Sequence, residues 1–202
     1  GLTSNKVRTY LGQLTKITRD LQRLGLHLRM VPLKGVFQKM SRLVRDLSRK
    51  SHKQVKLEIR GQSTEMDRRL VEKIGDPLVH MVRNSMDHGL ETPEERVAAG
   101  NTAEGRIQLS AYHEGGNIVI EIQDDGRGLP RDRILAKAID KGLVQGDGSH
   151  LSDGEVWDLI FHPGFSTAAK VTELSGRGVG MDVVKRNIES MRGRIRVQSE
   201  WG

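Results

Sequence analysis

Four polar residues share one helical face: His80, Asn84, Asp87 and His88 follow one another at i, i+4 and i+7/i+8. A histidine-rich face of this spacing could serve zinc. The chain has no His-Glu-x-x-His string, however, and a third ligand would have to come from elsewhere. An asparagine among acids and histidines better suits an oxygen-preferring ion such as Mg2+, which keeps waters and binds jointly with substrate phosphates. A second group, Asp124-Asp125-Gly126-Arg127-Gly128, directly follows a strand-like run. A carboxylate at the base of a pocket can accept a hydrogen bond from an exocyclic amine such as that of adenine, and glycines let backbone approach a flat ring. A third, Gly176-Arg177-Gly178-Val179-Gly180, opens a helix. Glycine-rich backbone there offers free N–H groups and the positive end of the helix dipole, which favour phosphate. It is not a dinucleotide fingerprint, because irregular sequence precedes it, and it is not a Walker loop, because no Gly-Lys-Ser/Thr follows. In this order, the three groups describe a nucleotide pocket without a P-loop lysine.

The elements that must position these groups are legible from periodicity. Tyr10, Leu14, Ile17, Leu21, Leu24 and Leu28 alternate at +4 and +3, a heptad seam that needs a partner helix. Pro32 interrupts it, and Met30 and Val31 before the proline are biased to extended geometry. Leu33, Val36, Phe37, Met40, Leu43, Val44 and Leu47 form a second amphipathic face. Val55, Leu57 and Ile59 alternate with charged residues as a half-buried strand. Thr64 is expected to cap a helix through Ile74, interrupted at Asp76-Pro77 and resumed to Gly89, which closes it as a C-cap. Thr92-Pro93-Glu94-Glu95 opens a short helix. Two strands, 106–113 and 118–123, flank a hairpin at Glu114-Gly115-Gly116-Asn117. Helices at 131–141, around Val156–Ile160 and at 179–191 follow, then a strand at 194–199. Crossover helices combined with a tight hairpin indicate an α+β sandwich rather than a doubly wound parallel sheet.

Composition narrows the function further. The 202 residues are 29% charged and 36% hydrophobic, enough for a packed core. Aromatics are only 3%, which argues against a stacking platform for single-stranded nucleic acid. The absence of cysteine excludes disulfides and thiolate metal sites and suits a reducing compartment, so a cytoplasmic location is expected. Residues 1–60 hold fifteen Lys or Arg against three acids, whereas 61–202 hold eighteen against twenty-three. The basicity of the first third could meet nucleic acid or a membrane surface. Its positive residues are spread around the helices, which favours a solvated face or an acidic partner. Gly1-Leu2-Thr3 is neither a start methionine nor a signal peptide, so a segment of a longer protein is expected.

The strings themselves resemble a known family. Asp76-Pro77 through His80, Arg83-Asn84, Asp87-His88-Gly89 and Glu91 is similar to the N box of the chemotaxis histidine kinases of the CheA type. Asp124-x-Gly126-x-Gly128 resembles their first glycine box, Phe161 through Thr167 their phenylalanine box, and Gly176 through Asp182 their second glycine box. Leu28 through Pro32 and Val44 through Leu47 resemble the end of the dimerisation helix and the approach to the kinase domain. The resemblance implies a two-layer α/β sandwich with a mixed, mostly antiparallel sheet and helices on one face, preceded by a long N-terminal helix. It divides the chain into dimerisation-helix remnants and linker over 1–48 and an ATP-binding domain over 49–202, lacking its last strand.

The implied cofactors are ATP and Mg2+. Asp124 would bind the adenine amine, with Gly126 and Gly128 shaping the ring site. Asn84, with His80, would hold the metal. Arg83 would neutralise phosphate charge, and His80 and His88 would line the phosphate side with Asp87. Ser166 and Thr167 would belong to a mobile lid. Gly176, Arg177, Gly178, Val179, Gly180 and Met181 would cradle phosphates. The implied reaction is γ-phosphoryl transfer to a histidine on a separate domain of the same protein, in a homodimer that serves a receptor, a coupling protein and a response regulator, without membrane insertion. The rival is a gyrase- or MutL-like ATPase that contacts DNA through the basic N-terminal segment. Against it, those ATPases position water with an acid where this sequence carries His80.

Overall fold

The computed structural model describes residues 4–165 and 180–201. Helix α1 (Ser4–His27) buries none of its residues. Tyr10, Leu14, Ile17, Leu21 and Leu24 are each more than half exposed, so the heptad seam has no partner among the described residues. Strand β1 (Met30–Pro32) realises the extended bias before the proline and pairs antiparallel with β3 (Glu65–Asp67), Met30 opposite Asp67. Helix α2 (Lys34–Ser51) buries Phe37, Met40 and Val44. Its apolar face joins the main core together with helix α3 and the sheet.

The sheet has the order β2–β4–β5. Strand β2 (Val55–Arg60) runs parallel to β4 (Gly105–Glu114), and β5 (Asn117–Asp124) returns antiparallel through the Gly115-Gly116 hairpin. Alternation along these strands puts Leu57, Ile107, Leu109, Ile120 and Ile122 toward the core beneath α2, α3 (Arg68–Asn84) and α7 (Met181–Ser190). Charged and polar residues such as Glu58, Arg106 and Glu121 face away, where Glu58 pairs with Lys56 at 3.2 Å and Tyr112 donates to Glu121 at 2.9 Å. The result is a two-layer α/β sandwich with a mixed sheet, helices on one face and a long helix in front.

Helix α3 (Arg68–Asn84) departs from expectation at both ends and in the middle. Thr64 does not cap it; its hydroxyl donates to the Ala111 carbonyl at 3.1 Å, and Asp67 is the cap, accepting from the Arg69 N–H. The helix runs unbroken through Pro77, which is itself buried. A proline inside a helix removes one ladder hydrogen bond. Here Ile74 on one side of it and Leu78 and Val82 on the other are all buried in one core, and that shared burial outweighs the lost bond. Nor does Gly89 end the helix in the left-handed conformation. The chain continues as a π turn over Ser85–Gly89, closed by the Leu90 N–H donating to the Ser85 carbonyl at 2.8 Å.

Helix α4 (Pro93–Ala98) starts in a reciprocal capping box between Thr92 and Glu95. Helices α5 (Arg131–Asp140) and α6 (Asp153–Asp158), the latter followed by a 3₁₀ turn at Leu159–Phe161, form a second small core around Leu135, Val156, Trp157 and Phe165. Helix α7 (Met181–Ser190) begins after Gly180 and packs Val184 and Ile188 into the main core. The strand expected at 194–199 has no ladder partner among the described residues. Its burial still alternates, with Ile195 and Val197 half-buried and Arg194 and Arg196 exposed. Apolar contact with the two cores holds it extended, while its link to the loop after β5 is the Leu129 N–H donating to the Ser199 hydroxyl at 2.8 Å.

Candidate functional site

Asn84 is the last residue of α3 and is half-buried. Its side-chain amide donates to the Met181 sulfur at 3.1 Å, across to the first turn of α7. The structure thus brings together the Asn84 helix and the end of the glycine string, at Gly180 and Met181. With the amide nitrogen so engaged, the Asn84 Oδ1 is the acceptor left for a ligand. Ser166, Thr167, Gly176, Arg177, Gly178 and Val179 lie outside the described residues.

The π turn carries the helix from Asn84 to Asp124. An added Cβ on Gly89 would fall 3.0 Å from one carboxylate oxygen of Asp124 and 3.1 Å from the other. That approach is closed to any residue larger than glycine unless Asp124 moves. The neighbouring loop is tied to the same point: the Arg127 N–H donates to the Gly89 carbonyl at 2.9 Å, and the Gly126 N–H donates to Asp124 Oδ1 at 3.1 Å. A Cβ on Gly126 would lie 2.2 Å from the Gly89 carbonyl oxygen. Gly128 has φ +77° and presses on the Glu200 backbone. Backbone packing therefore demands glycine at 126 and 128, whereas at 89 it is the Asp124 carboxylate that crowds an added Cβ. The π turn Ser85–Gly89 is thus the segment that connects Asn84 to the glycine on which Asp124 rests.

The π turn also decides which of the polar residues stay in line. Insertion of a wider turn advances the face by less than 100° per residue. His88, rather than Asp87, is the residue of the turn whose charge acts on His80. Both Asp87 and His88 are exposed, and His80 and Arg83 are half-buried. Burial lowers the His80 pKa below its ordinary value, and the positive charges of Arg83 and His88 lower it further. His80 is therefore neutral at pH 7. The linked stability is present above the unfolded-state value near 6.5 and lost as pH falls below it toward the depressed folded value. Thermal unfolding should accordingly show stability declining as pH falls below about 6.5, and His80→Asn should flatten that decline. An unchanged slope in the variant would remove His80 as its source.

Two cations that the motifs did not single out hold this geometry. Arg96 is 2% exposed. It donates to the Thr102 carbonyl at 2.8 Å, to Glu91 at 3.2 Å, and to both the carbonyl and the carboxylate of Asp125 at 3.0 and 3.1 Å. It thereby fixes Asp125, beside Asp124, to the loop after the π turn. Arg96→Met would leave Glu91 and the Thr102 carbonyl unpaired. It should destabilise the fold by about 2–3 kcal/mol, discounted because Asp125 is half exposed, as read from denaturant midpoints. Lys53 is the other, donating to the Met86 carbonyl at 2.6 Å and to the Asp87 carbonyl at 3.4 Å. Arg96 sits in a short charged helix and Lys53 in a basic linker. Nothing in their local sequence distinguishes them from solvated cations.

The residues fit Mg2+ held jointly with a ligand. Among the described residues no three His, Cys, Asp or Glu side chains converge on one point. A cation beside Asn84 would take one amide oxygen from the protein and the rest from water and phosphate, as Mg2+ prefers.

Residues 73–202 match the family described as histidine kinase-, DNA gyrase B-, and HSP90-like ATPase. The chain is 55% identical over 194 residues to chemotaxis protein CheA of Salmonella typhimurium, covering 96% of this chain and 29% of that protein. It is 53% identical over 201 residues to chemotaxis protein CheA of Klebsiella aerogenes, covering 100% of this chain and 30% of the relative. It is 50% identical over 193 residues to the sensor histidine kinase CheAY of Helicobacter pylori, covering 95% and 24%. The chain thus spans less than a third of the length of these curated relatives.

Proposed function

The chain belongs to the histidine kinase-, DNA gyrase B- and HSP90-like ATPase family, as the ATP-binding domain of a CheA-type histidine kinase, and from that premise we propose that it passes the γ-phosphoryl group of ATP to a histidine on a separate domain. The observation that carries this reading is the Asp124 carboxylate seated on Gly89, at the end of the helix whose Asn84 reaches Met181. A carboxylate braced by backbone can accept from the exocyclic amine of adenine. The amide lies on the side where the glycine string, ending at Gly180, would meet phosphates.

In this reading each residue has a limited task. Asp124 selects the base. Arg83 offsets phosphate charge, and His88 borders the phosphates with Asp87. His80, kept neutral by its surroundings, can accept or donate a hydrogen bond there without adding charge. Asn84, with His80 beside it, would hold Mg2+, which supplies charge neutralisation of the triphosphate when bound. The phosphate role expected of Gly176, Arg177, Gly178, Val179, Gly180 and Met181, and the part in nucleotide binding expected of Ser166 and Thr167, belong to the same proposal. Phosphoryl transfer asks little covalent chemistry of the protein, and positioning and electrostatics suffice.

The wider setting follows from the same proposal. The exposed seam of α1 would pair with a second copy in the full-length homodimer, and the phosphorylated histidine domain would serve a response regulator under receptor and coupling-protein control. Among the described residues no helix is long and apolar enough to cross a membrane, and action in the cytoplasm is part of the proposal. The test is direct. Calorimetric titration of ATP with and without Mg2+ should give Mg2+-dependent binding, and radiolabelled ATP should label a separately supplied histidine domain. Absence of binding and of labelling together would overturn the reading.

A further inference from the structure

We propose that Lys53 is a positioning residue for nucleotide: by capping the carbonyls of Met86 and Asp87 it holds the end of the Asn84 helix in its π form, and with it the seat of Asp124. The inference rests on the ATP reading above. A helix end leaves carbonyls without intrahelical donors. Here the Leu90 N–H has gone to Ser85, and the Thr92 N–H has gone to the Glu95 carboxylate of the next capping box. The carbonyls between them are met from outside by the Lys53 ammonium, at 2.6 Å from Met86 and 3.4 Å from Asp87. Lys53 comes from the segment just before β2, more than thirty residues away, and is half-buried. A positive charge at a helix C-terminus is also favoured by the dipole.

The consequence lies in register. A π turn holds one more residue than an α turn, so reversion to α would rotate the chain beyond it by roughly one residue's worth of arc. Gly89 would then no longer present its bare α-carbon to Asp124, where only 3.0 Å is allowed to a Cβ. The Gly89 carbonyl would leave the Arg127 N–H. Met86, fully buried within the turn, anchors the other side of it. Lys53 and Met86 thus clamp the turn from outside and inside the core.

The experiment compares wild type, Lys53→Met and Lys53→Arg by ATP calorimetry, by KM and kcat for phosphorylation of a supplied histidine domain, and by thermal unfolding. Lys53→Met keeps the apolar stem and should raise both Kd and KM for ATP about tenfold, a larger change than that in kcat. Lys53→Arg should restore affinity to within about threefold. A purely structural role would lower Tm without that split and without arginine rescue, and would overturn the proposal. So would unchanged affinity in Lys53→Met while Asp124→Asn loses it. Should Asp124→Asn also bind ATP as wild type does, it is the nucleotide reading that fails instead. If Lys53→Met does not fold, Lys53→Gln, which keeps an N–H₂ donor group without the charge, takes its place, and full wild-type affinity there with a lowered Tm overturns the proposal.

Discussion

Asn84→Ala is expected to abolish phosphoryl transfer to a supplied histidine domain, a loss of at least about a hundredfold in kcat. Asn84 stands at the last α-helical position, half-buried, with its amide nitrogen engaged by the Met181 sulfur at 3.1 Å. That contact orients the side chain and leaves its oxygen available as the ligand atom that the proposed role requires. Alanine removes the oxygen and frees the first turn of α7 at once. Asn84→Asp keeps the shape but cannot donate to the sulfur, and it adds a negative charge next to a triphosphate. It should not rescue. ATP affinity should fall much less than kcat in the alanine variant, because Asp124 and its backing are untouched. Transfer at the wild-type rate in Asn84→Ala, measured by radiolabel on the histidine domain, would remove Asn84 from the machinery.

Asp124→Asn should weaken ATP binding about 10- to 100-fold, the worth of a hydrogen bond to a charged acceptor. The substitution is nearly isosteric, so it fits the 3.0 Å approach to Gly89. Its remaining carbonyl oxygen can still accept from the Gly126 N–H, as Asp124 Oδ1 does at 3.1 Å. The loop should therefore keep its shape, and the loss should be specific to the base. A carboxylate accepts from an amine with both oxygens, whereas an amide can present its own N–H₂ and repel it. The preference for ATP over GTP, whose base lacks that exocyclic amine, should shrink in the same variant. Calorimetry with both nucleotides decides it: unchanged affinity and unchanged preference would show that Asp124 does not read the base.

Much of this protein was legible in its residues, and the parts that were not share a cause. The α1 seam, the 115–116 hairpin, the Thr92–Glu95 capping box and the α7 start at Gly180-Met181 all come from interactions within a few residues, so periodicity and cap chemistry reveal them. The expectation of a nucleotide site likewise rests on the three polar strings, because residue types at fixed local spacing carry that chemistry. Other features depended on partners far along the chain. Pro77 stays inside a helix because residues on both sides of it are buried in one core, and Thr64 turns from cap to β-bridge support because Ala111 lies opposite. Residues 194–199 kept the alternation of a strand without finding a ladder partner among the described residues. Only the fold could decide that Gly89 serves to admit Asp124 rather than to end a helix, that Arg96 is buried under Asp125, and that Lys53 meets two helix-end carbonyls. Local sequence determines which conformations and which chemistry are available. Close approach, burial and the pairing of distant charges arise only when packing brings separate segments within a few ångströms, and that is a property of the assembled core.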